Sequence, residues 1–243
     1  DIYDQQIENQ DLDYILKQNF FTYSMGHQIA RLGLVDMALN LKSISIDGPS
    51  SLTRYNQAYE ISSISAQSVI DTKDETAFPK SGNYQKVYYE LATDQLGGTE
   101  SYTKFEFISD WYLTFLKRNT LHAGLQIGLG DETIPYSEWF VLGGIDSFFG
   151  LREYEFWGTK LYKGNIEYRY RLPVSSLFNL NFYIRYDIAA ITEDVLYDIS
   201  DKDFFNGQGL AVGVSTPAGP LKIGYGRNSL GKDAFYFYFG WDF

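Results

Sequence analysis

Cysteine is absent from the 243 residues, which removes a disulfide scaffold, a thiolate metal site and a cysteine nucleophile. Histidine occurs 2 times, too rarely for a multi-histidine metal centre. The net charge of −11 leaves no Lys/Arg surface for a phosphate backbone, so nucleic acid is not an expected partner. Nowhere do about eighteen apolar residues run together, which excludes a helical membrane span. No basic-then-apolar leader opens the chain, which therefore reads as a mature or trimmed product. A Gly-x-Ser-x-Gly elbow and a phosphate-binding glycine loop are also missing. No catalytic residue, metal or cofactor is assigned. Only 6 prolines stand against 22 glycines, a ratio that suits many strands and tight turns.

What is present is aromatic. Tyr 21, Phe 18 and Trp 4 make up 18% of the chain. They fall into long alternations of period two, the strand period. Phe178, Leu180, Phe182, Ile184, Tyr186 and Ile188 share one face, and Asn179, Asn181, Tyr183, Arg185 and Asp187 the other. Ile166, Tyr168, Tyr170 and Leu172 alternate with Asn165, Glu167, Arg169 and Arg171. Phe105, Phe107, Trp111, Leu113 and Phe115 alternate with Lys104, Glu106, Asp110 and Tyr112. At the end of the chain Phe235, Phe237, Phe239, Trp241 and Phe243 form an all-aromatic face.

Strands are expected at 12–29, 34–47, 54–72, 82–94, 101–117, 119–130, 159–172, 178–191, 208–216, 220–228 and 233–243. Several exceed the usual length in soluble sheets and match the roughly 9–11 residues that a tilted strand needs to cross a bilayer. Turns such as Leu32-Gly33, Leu172-Pro173 and Pro217-Ala218-Gly219 are short, whereas long connectors lie near 131–157 and 192–207. An apolar face this bulky on nearly every strand would overfill a small soluble barrel. Turned to lipid it meets no packing limit, and the polar face then lines a wet interior. Only helices and closed barrels satisfy the backbone in hydrocarbon. The expected fold is all-β, an antiparallel transmembrane β-barrel. Eleven segments and a strand remnant at Asp1-Ile2-Tyr3 give about twelve strands, in keeping with the even counts of bacterial barrels.

The stretch Phe140 to Arg152 holds Gly143, Gly144, Ser147 and Gly150. It resembles the inserted loop of the BamA/TamA superfamily of outer-membrane barrels (bacterial surface antigen type), whose pattern is a Gly-Gly pair, a Ser, then Val-Arg-Gly-Phe/Tyr. Phe148 takes the Val place, Leu151 the aromatic place, and Phe149 stands where the family has its Arg; Arg152 lies three residues on. Further pieces follow in family order. Asp71 and Asp74 with Phe78-Pro79 and Gly82 resemble its periplasmic hairpin. Asn165-Ile166-Glu167-Tyr168-Arg169 resembles the strand after the loop. Tyr183 and Asp187 resemble the next strand, and Thr216 to Leu221 the penultimate hairpin. Phe243 matches the terminal aromatic. The Phe149-Gly150-Leu151 variant, the Thr-Pro-x-Gly-Pro segment and the Gly26–Leu34 hairpin look most like the branch fused to a patatin-like lipase.

The resemblance implies a loop folded into the lumen and a barrel of sixteen strands; either the N-terminal strands lie upstream or this is a shortened branch. Residues 1–243 are expected to form one outer-membrane barrel domain, the C-terminal part of a longer protein in a Gram-negative bacterium. It would anchor or help translocate an N-terminal module such as a patatin-like phospholipase. Alternatives are an outer-membrane assembly or translocation factor, a passive pore, or a barrel enzyme built on His122 with Asp110 and Glu106. His27 is a weaker candidate for that chemistry. Expected partners are outer-membrane lipid, the N-terminal passenger and the assembly machinery, which in the family reads a terminal aromatic, here Phe239, Trp241 and Phe243. A homodimer is left open. Within the loop, Arg152 is expected to pair with Glu167 or Asp187, the inward acids that would anchor it.

Overall fold

A computed structural model describes residues 15–29, 33–47, 58–174, 179–216 and 219–240. Strands β1 (Ile15–Ile29), β2 (Gly33–Asp47), β3 (Ala58–Asp71), β4 (Gly82–Ala92), β5 (Tyr102–Phe115) and β6 (Asn119–Gly130) follow one another. Next come a short hairpin, β7 (Phe140–Leu142) and β8 (Phe156–Gly158), then β9 (Lys160–Pro173) and β10 (Asn179–Thr192). β11 (Phe205–Thr216), β12 (Gly219–Asn228) and β13 (Asp233–Phe239) complete the order. Every strand except the hairpin pair joins one 11-stranded antiparallel sheet in chain order, β6 pairing directly with β9 across the inserted segment. Among the described residues the sheet stays open between its edges, β1 and β13. The Asp1-Ile2-Tyr3 remnant lies outside the described residues, as do Trp241 and Phe243. The extra pair β7–β8, unexpected from the sequence, is three residues per strand, too short for its period to show.

The register decides which face each residue takes. Opposite partners such as Tyr168 with Ile184 and Ile184 with Leu210 point the same way, to the convex side. On that side Phe235 is 83% exposed, Phe237 74% and Leu113 66%. The concave side carries the opposite set: Glu90 is 1% exposed and Asp187 0%. A water-soluble domain does not display such a continuous apolar surface around buried acids. In hydrocarbon the same arrangement is the stable one, because the ladder satisfies the backbone and the apolar side chains meet acyl chains.

The strand directions sort the connections. Turns 72–81 and 116–118 share one mouth, where β1, β9 and β11 also end. Connections 93–101, 131–159, 193–204 and 229–232 share the other, and 131–159 is the longest of them.

Candidate functional site

The segment 131–159 does not stand out from its mouth; it folds back onto the concave wall, inside the sheet. Its base is tied first. The Gly130 amide donates to the Thr159 carbonyl at 2.8 Å, and the Asp131 carboxylate accepts from the Thr103 hydroxyl at 2.8 Å. Glu138, which is buried, receives Lys42 at 2.8 Å and Lys104 at 3.5 Å, so β2 and β5 hold the outgoing arm. The β7–β8 hairpin then carries the chain to its tip. There the Phe148 amide donates to the Gly144 carbonyl at 2.9 Å and the Gly144 amide to the Leu151 carbonyl at 3.2 Å. The Gly143 amide donates to Ser147 Oγ at 3.4 Å.

Two glycines are needed by geometry. Gly143 has φ +131°, and a Cβ there would strike the Arg152 carbonyl oxygen. Gly150 has φ +87°, and a Cβ there would lie 2.6 Å from the backbone of Arg227 and Asn228. Both the left-handed backbone and the close approach to β12 exclude a side chain.

The tip is fastened to four strands. The Phe149 amide donates to Asp187 Oδ2 on β10 at 2.9 Å. The Gly150 amide donates to the Tyr236 hydroxyl on β13 at 2.7 Å, and that hydroxyl donates on to the Leu151 carbonyl at 2.8 Å. Asn228 on β12 donates to the Gly150 carbonyl at 2.9 Å. Phe148 packs with Phe205 of β11 at a ring distance of 5.0 Å. Lys222 of β12 holds Asp146 at 2.6 Å. Phe148, Phe149 and Leu151 are fully buried. Such a set of charge-assisted and neutral bonds around a dry aromatic core fixes one loop position.

The ion pair expected of Arg152 with Glu167 or Asp187 is not formed. Arg152 is exposed, and its backbone amide turns to Glu155 at 2.6 Å. Each acid is held by an arginine two residues away on its own strand face: Glu167 by Arg169, and Asp187 by Arg185 at 2.9 Å. The Arg185 guanidinium also lies 4.7 Å over the Phe149 ring. So where the family pattern has a loop arginine, this chain has a loop phenylalanine under a strand arginine. Asp187 still meets the loop, through the Phe149 amide; Glu167 does not.

His122 Nε2 lies 2.8 Å from Asp110 Oδ1, and its ring stacks on Tyr112 at 4.3 Å. Glu106 is turned away, to Lys86 at 2.9 Å and Gln126 at 3.0 Å. The pair borders a cavity of about 330 Å³ that Lys163, Arg185, Asp146 and Phe78 also line. Among the described residues no group of His, Cys, Asp and Glu is placed to hold a metal ion. Phe239 faces outward, 57% exposed. Two features escape sequence reasoning: Glu138 as the anchor of the outgoing arm, and the burial of Phe78 from the opposite mouth. Phe78 sits in a short turn, and only its place beside Pro79 in a family-like segment marks it.

The Omp85 superfamily domain profile matches residues 1–243. No curated protein matches the chain. Among solved structures, BamA of Haemophilus ducreyi lacking POTRA domains 1–3 is similar, with TM-score 0.73 at 12% identity over 92% of this chain. This chain spans 54% of the length of that one.

Proposed function

This chain belongs to the Omp85 superfamily, and from that premise we propose that it is the membrane-embedded barrel of a longer protein in the outer membrane of a Gram-negative bacterium. In this reading it anchors, or helps carry outward, an N-terminal module of the patatin-like phospholipase kind. The observation that carries it is the plug. Loop 131–159 is tied to β10, β12 and β13 at its tip and to β2 and β5 at its base, and this suits a stationary anchor better than an open conduit.

The test is the native gene. A Gly-x-Ser-x-Gly segment upstream of Asp1, with phospholipase activity at the membrane that disappears when the barrel is deleted, is the expected result. An upstream region of repeated periplasmic domains without that segment would overturn it. It would favour the second reading, an assembly or translocation factor. The feature on the side of that reading is the pair of sheet edges, β1 and β13, between which the sheet is open among the described residues. Such an edge offers backbone groups to an incoming strand. Depletion that lowers the levels of other outer-membrane barrels would support it.

A further inference from the structure

The turn 72–81 joins β3 to β4 at the mouth opposite to loop 131–159. It folds inward. Arg171 of β9 donates to the Phe78 carbonyl at 3.0 Å and Arg169 to the Pro79 carbonyl at 3.2 Å. Thr114 of β5 donates to the Lys80 carbonyl at 2.7 Å. Phe78 is thereby held inside the sheet, 2% exposed, with the Arg169 guanidinium 5.4 Å from its ring centre.

The wall opposite is bare where Phe78 lands. On the concave face of β11 and β12, successive cross-strand pairs are Gly209 with Gly226, Ala211 with Gly224, and Gly213 with Lys222. Phe149 lies on the first pair, where a Cβ on Gly226 would meet its ring at 2.7 Å. Ile145 lies on the second, 3.3 Å from a Cβ on Gly224. Phe78 lies on the third, 2.5 Å from a Cβ on Gly213. Phe149 and Ile145 descend from one mouth and Phe78 rises from the other, and the three form one buried cluster with Tyr183 and Ala211. Lys222 joins the two sides, holding Asp146 of the loop at 2.6 Å with Phe78 at 5.9 Å from its ammonium.

We infer that the turn 72–81 is a second plug and that Phe78 is the positioning residue that seats the loop tip and shuts the lumen where the two plugs meet. Without Phe78, Ile145 faces water, and the column on the β11–β12 wall ends one residue short. The two mouths are then coupled: whatever draws the turn outward uncovers the loop tip.

Because the chain has no cysteine, a single introduced one reports on this contact. Ile145→Cys in the full chain, reconstituted in liposomes, is labelled with a maleimide in the presence of Phe78, Phe78→Ala or Phe78→Leu. Ile134→Cys, buried in a separate cluster at the loop base, is the control. Phe78→Ala is expected to speed labelling at 145 at least about tenfold with no change at 134, and to raise conductance in a planar bilayer; Phe78→Leu is expected to return both towards the parent. Should Phe78→Ala give no heat-modifiable barrel, Gly213→Ala, which pushes the ring off the wall, is read in its place with the same expectation. Equal labelling at 145 whatever occupies 78 or 213, or equal acceleration at 134 and 145, would overturn the inference.

Discussion

Asp187 is the residue on which the loop tip most depends. It is fully buried, accepts the Phe149 amide and holds Arg185. Asp187→Asn leaves a buried guanidinium without its counter-charge, a change that costs about 3–5 kcal/mol. The urea midpoint of the heat-modifiable band is expected to fall accordingly. Arg152→Ala, at an exposed position without a lumen contact, is expected to move it by less than about 0.5 kcal/mol. Asp74 works at the other mouth. Burial alone would raise its carboxyl, yet the Lys80 and Ser81 amides and the Lys80 ammonium hold it below the usual carboxylate range. A depressed folded value gives stability that is complete above the unfolded value and lost as pH falls through the folded one. Exchange of the Lys80 and Ser81 amides, corrected for intrinsic rate, is therefore expected to rise between about pH 5 and about pH 2. In Asp74→Asn it is expected to be fast throughout.

Among the strands, much of the wall is legible in the amino-acid order alone. The strand expected at 119–130 is observed at Asn119–Gly130, and the one at 82–94 at Gly82–Ala92. Lipid imposes this clarity, since a strand that must be greasy on one side for its whole crossing writes its own limits. Ile184, at mid-strand in β10 and 57% exposed, tests that demand. Ile184→Arg is expected to destabilise the barrel by about 2–4 kcal/mol, read from its unfolding in lipid vesicles. The loop is legible as a motif whose resemblance implies a place in the lumen, but its contacts are not. Gly143 and Gly150 mark a tight tip, but the path of the tip depends on residues far along the chain, such as Asn228 and Tyr236, and no local pattern names them. The misplaced partner of Arg152 has the same origin: inward parity puts Glu167 with Arg169 and Asp187 with Arg185 on one face, but does not say which cation each acid takes.

The sheet as one body is a container whose hydrophilic side chains and plugs are inside and whose hydrocarbon side is out. Its delivery is a separate matter. We propose that Phe243, which resembles the family's terminal aromatic, serves delivery, and Phe243→Ser is expected to cut the inserted fraction in cells several-fold without altering the refolded protein. Comparing outer-membrane yield with refolding yield checks this. The outward orientation of the apolar face is the claim beneath the rest. It is met most directly by spin labels placed singly at 182, 183, 184, 185 and 186 in the protein reconstituted in bilayers. Collision with oxygen, which concentrates in acyl chains, is predicted to peak at 182, 184 and 186 and to drop at 183 and 185. The opposite alternation, or a protein that stays dispersed without detergent or lipid, would contradict the account.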